Sequence, residues 1–85
     1  MKNVYKCFEI GNEYVVLVYI NGDRHLDKTC LYKFAKQSRS HLSIVSTDVV
    51  ERKKEVKGFL TKLDTYKPCN GDTGYMINQI EDILK

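Results

Sequence analysis

The chain has 85 residues, of which 42% are apolar and 29% charged, with a formal net charge of +3, one Pro and five Gly. That length suits a single domain, and the composition excludes a disordered or low-complexity chain. A chain this short buries only roughly 60% of the surface its unfolded state exposes, so every apolar element is expected to be needed.

Residues 4–10 (Val-Tyr-Lys-Cys-Phe-Glu-Ile) are rich in β-formers and predict a first strand. Val4, Lys6, Phe8 and Ile10 fall on one face, Tyr5 and Cys7 on the other. The segment that carries this strand lacks the apolar core of a signal peptide, which points to the cytoplasm. Gly11-Asn12 then forms a two-residue spacer whose leading glycine suits a type II′ hairpin turn. After Glu13 come seven consecutive apolar or aromatic residues, Tyr14 to Ile20, four of them β-branched. A half-buried strand would alternate, so this run reads as a strand buried on both faces, the centre of a small sheet. It is far short of the roughly 20 apolar residues that cross a bilayer.

Asn21-Gly22 is a tight-turn signal, and residues 23–28 are too polar for a good strand. Leu26, Cys30, Leu31, Phe34 and Ala35 recur at helical spacing with Asp27 placed to cap, which predicts a helix over 28–37. A strand through Cys30, Tyr32 and Phe34 is the rival reading. A loop at 38–40 leads to residues 41–46, where Leu42 and Ile44 alternate with Ser43 as in a half-exposed third strand. Asp48 and Glu51 make a D-x-x-E capping box that opens a helix over 49–63, with Val49, Val56, Phe59, Leu60 and Leu63 on one face. Gly58 costs that helix roughly 1 kcal/mol relative to Ala, and a close approach to the sheet would explain it. The breaker-rich loop 67–74 ends in a cap at Asp72 or Thr73. A last helix over 75–84 turns Met76, Ile77, Ile80, Ile83 and Leu84 inward. The order β-β-α-β-α-α is that of an α+β domain, a small antiparallel sheet with about three helices on at least one face.

Cys7, Cys30 and Cys69 are odd in number and widely spaced, which favours free thiols packed as small apolar side chains over a disulfide framework. His25 lies close in sequence to Asp23, Asp27 and Cys30, and His41 stands alone. No paired-ligand motif accompanies either, so neither a metal, a cofactor nor a catalytic set is expected.

Charge is uneven: residues 24–67 hold eleven Lys or Arg against five Asp or Glu. The densest run lies on the 49–63 helix, where Arg52, Lys53, Lys54 and Lys57 are joined by Lys62. Arg52, Lys53, Lys54 and Lys57, together with Arg39, Tyr66 and Lys67, are the candidate binding residues for a protein or a nucleic acid. Glu51 and Glu55 on the same helix dilute such a patch by pairing within it.

By elimination the chain reads as a non-enzymatic module that docks on a larger protein and regulates or inhibits it. Nucleic-acid binding through the basic helix is the alternative, no membrane is involved, and the edge of the third strand can serve a homodimer. A composition rich in Lys, Asn, Ile and Tyr suits a phage, a mobile element or a low-GC bacterium.

Overall fold

The strand at the centre of the sequence is the centre of the fold. In the computed structural model, which describes residues 2–36, 42–44, 48–71 and 73–85, it is β2 (Glu13–Tyr19). It is flanked by β1 (Val4–Ile10) and β3 (Thr29–Ala35). Beyond β3 lies β4 (Leu42–Ile44), and beyond β1 the two-residue β5 (Lys67–Pro68). The order is β4-β3-β2-β1-β5, with every neighbouring pair antiparallel.

The β1–β2 hairpin closes with Ile10 opposite Glu13. Gly11 lies at φ 58° while Asn12 stays out of the left-handed region, the sign pattern of the expected type II′ turn. Asn21 (φ 55°) and Gly22 (φ 75°) both occupy it, as in a type I′ turn. That turn is closed by the Asp23 N–H donating to the Ile20 carbonyl over 2.9 Å.

Two helices cover the sheet, one on each face. On the first face α1 (Val49–Thr61) seats Val56 and Phe59 against Phe8, Val15, Leu17 and Leu31. On the other α2 (Gly74–Leu84) seats Met76 and Ile80 against Val16, Val18, Tyr32 and Phe34. This is why β2 carries no polar alternation: Val15, Val16, Leu17 and Val18 are all at most 3% exposed, with a helix over each face. Burying side chains of this size contributes about 1.5–3 kcal/mol each. Lys6, which interrupts the α1 face of β1, sets its ammonium 5.9 Å from the centre of the buried Tyr19 ring.

Several expectations are corrected. Residues 28–37 do not form a helix; they hold β3, the rival reading. Leu31 meets the α1 face while Cys30, Tyr32 and Phe34 meet the α2 face, so the apolar residues alternate across a sheet. Asp27 caps no helix and lies in a 3₁₀ turn, Leu26–Lys28. The predicted third strand is therefore the fourth, and the described residues hold two α-helices in the order β-β-β-β-α-β-α. Val49 and Ile83, expected inward, are 52% and 41% exposed. The expected loop at 38–40 lies outside the described residues.

The cysteines are the largest correction. Cys7 and Cys69 form a disulfide with Cα atoms 5.3 Å apart, and Cys30 alone remains a free thiol. The pairing follows from β5: it runs beside β1 and delivers Cys69, whose N–H donates to the Cys7 carbonyl over 3.0 Å.

Candidate functional site

The side chains that the sequence marks for binding gather around α1. The helix starts where the Asp48 carboxylate accepts the Glu51 N–H over 3.0 Å, the expected cap. It ends where the Lys62 N–H turns back to the Phe59 carbonyl, and a 3₁₀ turn (Leu63–Thr65) carries the chain into Tyr66. Phe59 stacks on Tyr66 with ring centres 4.7 Å apart and meets Phe8 edge-on at 5.6 Å. Two ion pairs fasten the helix to the rest of the domain. Lys33 Nζ of β3 lies 2.8 Å from Glu55 Oε1, and Lys53 Nζ lies 2.6 Å from Asp27 Oδ1.

Between α1 and the sheet runs an open groove of about 370 Å³. Its floor is Ile10, Val15, Leu31, Phe59 and Tyr66; its rim is Glu13, Lys33, Glu55 and Lys62, and Gly58 stands in its helical wall. A Cβ placed on Gly58 would meet nothing within 4 Å, which corrects the expected close packing of this glycine on the sheet.

The predicted binding residues divide. Lys54 and Lys57 are exposed and, with Lys62, make no ion pair among the described residues. Lys53 is held by Asp27, Arg52 is half-buried, and Lys67 lies 3.7 Å from Glu9, its partner on the neighbouring strand β1. Tyr66 is no free stacking platform, because its ring is taken up by Phe59 and Phe8. Arg39 lies outside the described residues. No single basic surface joins these groups. Sequence reasoning missed the groove, and its one signal was the mid-helix glycine.

The remaining constellations do not converge. His25 is exposed, with Nε2 3.9 Å from Asp23 Oδ1. The backbone N–H of His25 is the main cause that holds the Asp23 carboxyl below its ordinary range. The hydrogen bond from Lys53 does the same for Asp27, on the α1 side. Cys30 packs on the opposite face beside Tyr32, whose hydroxyl is pushed up to about 12 by burial first and by the neighbouring thiol second. His25, Asp27 and Cys30 thus form no working set. His41 and Asp72 lie outside the described residues, and no group of three or more His, Cys, Asp or Glu placed to hold a metal occurs among those described. Thr73 starts α2 without a side-chain capping hydrogen bond. Beside it Tyr14, Phe34, Lys36, Tyr75 and Met76 line a smaller cavity of about 120 Å³. No described helix is long and apolar enough to cross a membrane.

The fold and the groove define a small α+β domain, an antiparallel sheet clasped between two helices and stapled by one disulfide. No protein-family model, curated protein or solved structure matches the chain.

Proposed function

We propose that the protein is a non-enzymatic binding module that docks on a larger protein partner and regulates or inhibits it. The groove beside α1 carries this reading. An apolar floor ringed by charges of both signs resembles the core and rim of a protein interface. The docking side chains are Lys54 and Lys57 on the helix, Lys62 at its C-cap, and the exposed parts of Ile10 and Tyr66 in the floor. The outer edge of β4 offers a second place for contact, either with another copy of the chain or with a partner's strand. The Cys7–Cys69 disulfide favours an oxidising compartment over the cytoplasm that the sequence suggested, because such bonds persist where thiols are not kept reduced.

Nucleic-acid binding is the second reading, favoured by the ammonium groups of Lys54 and Lys57 on α1 and of Lys62 at its C-cap, which make no ion pair among the described residues. Three phosphate contacts would give a salt slope of about −2.7 in log K. Glu13 and Glu55 on the groove rim oppose it.

Capture from lysate on the immobilised protein, with and without nuclease and at two salt concentrations, tests both. A single protein held through nuclease and high salt by the natural chain, and released by Gly58→Gln, supports docking. Capture that vanishes with nuclease and with joint replacement of Lys54, Lys57 and Lys62 by Glu overturns it in favour of nucleic acid.

A further inference from the structure

We infer that Asn70-Gly71 is a site of spontaneous covalent modification, where Asn70 converts to aspartate and isoaspartate through a cyclic imide, while the other Asn-Gly pair, Asn21-Gly22, is protected by its turn. The inference is independent of what the groove beside α1 binds. Its chemistry is local. The glycine backbone nitrogen gives up its proton to hydroxide and attacks Cγ of the asparagine, closing a five-membered ring. The Cγ–Nδ2 bond breaks, the leaving nitrogen takes up a proton, and ammonia departs. Water then opens the imide, at the side-chain carbonyl to give aspartate or at the main-chain carbonyl to give isoaspartate. One water is consumed for each ammonia released. Glycine in second place leaves the attacking nitrogen unshielded, because it carries no side chain.

Both asparagines are exposed, so access to water does not separate them. The backbone does. Ring closure requires the glycine nitrogen to eclipse Cβ about the asparagine Cα–C bond, which for an L residue means ψ of roughly −120°. Asn21 stands at φ 55° and ψ 26°, nearly half a turn away. It is held there, since its N–H donates to Asn3 Oδ1 over 2.8 Å and the Asp23 N–H closes the turn on the Ile20 carbonyl. Asn70 and Gly71 lie in no helix or strand and make no hydrogen bond among the described residues. Nothing stands within 4 Å of a Cβ built on Gly71, so rotation of the Asn70 peptide costs no contact there. The place gives the change a consequence. Cys69 is fixed to β1 by its disulfide and its N–H bond to Cys7, and α2 begins at Gly74. Isoaspartate adds one carbon to the main chain between these two anchors. Either product sets a new carboxylate on the wall of the cavity that Lys36 also lines.

The test holds the natural protein at mildly alkaline pH, digests samples over time and follows both Asn-Gly peptides by mass spectrometry, with aspartyl and isoaspartyl forms separated by chromatography. Asn70 is expected to convert at least about tenfold faster than Asn21 in the folded protein. In the reduced chain unfolded in urea the two rates are expected to draw level. Asn70→Gln should remove the acidic species that ion exchange resolves from the aged natural protein. Conversion of Asn21 as fast as Asn70 in the folded protein, or no conversion of Asn70, overturns the inference. A gap that persists in urea overturns the protection of Asn21 by its turn. The isoaspartyl fraction is expected to melt below the natural protein and Asn70→Asp to melt with it; an isoaspartyl fraction that melts unchanged overturns the consequence for α2.

Discussion

Tyr5 and Tyr32 both put phenols beneath α2, and the two hydroxyls are treated differently by the fold. The Tyr5 oxygen is buried with no hydrogen-bond partner among the described residues. A buried polar group in that state costs about 1–3 kcal/mol, so Tyr5→Phe, which keeps the ring, is expected to stabilise the domain by about 1 kcal/mol. A raised urea midpoint at unchanged slope confirms this, and a lowered midpoint shows that the hydroxyl has a use. The Tyr32 hydroxyl has a pKa pushed up from 10 to about 12. Below the unfolded pKa both states hold the proton, and its environment imposes no pH dependence. As pH rises past that value the unfolded chain loses the proton first, so stability falls until the folded pKa is reached. Tyr32→Phe is therefore expected to flatten the alkaline decline in melting temperature, and an unchanged decline would show that other groups cause it. Asp27 runs the other way. Its lowered pKa belongs to the ion pair with Lys53, whose contribution is present at neutral pH and lost as acid titrates the carboxylate.

At the scale of elements, periodicity decides where it is unambiguous and fails where two periods fit the same residues. The residues of β2 fit only a strand covered on both faces, and the structure has them so. In α2 the helical spacing picked out Met76 and Ile80 correctly, and both are buried. Ile83 lies beyond the reach of the sheet at 41% exposure, while Ile80 is fully buried. Ile80→Ala is accordingly expected to cost about 2–5 kcal/mol, whereas Ile83→Ala stays within about 0.5 kcal/mol; denaturant unfolding of the pair checks the contrast. β3 is the failure. Leu26, Cys30, Leu31, Phe34 and Ala35 satisfy a helical stripe, yet that stripe would leave Tyr32 outside, and Tyr32 is 4% exposed. What decides is the free edge of β2: pairing from Tyr19↔Thr29 to Glu13↔Ala35 satisfies a row of backbone groups that a helix would leave open. The aromatic and β-branched content of β3 was the signal available for the strand.

For the molecule as a whole, the disulfide is the strongest single constraint. It joins residues 62 apart and ties the approach to α2 onto β1. Closing a loop of that length stabilises a domain by about 4 kcal/mol through the unfolded chain. Reduction, or Cys7→Ala with Cys69→Ala, is expected to lower the urea midpoint by a corresponding amount; an unmoved midpoint would show that packing alone holds α2. The sequence by itself determined the β1–β2 hairpin, the doubly buried centre of the sheet, the start of α1 at Asp48 and the existence of α2. Each of these is written in neighbouring residues through turn chemistry, apolar period or capping. Only the tertiary structure decided that β3 is a strand, that Cys7 meets Cys69, that Lys33 and Lys53 are spent on Glu55 and Asp27, and that Gly58 opens a groove. Those outcomes depend on which distant segment comes to lie alongside, and local spacing carries no record of it.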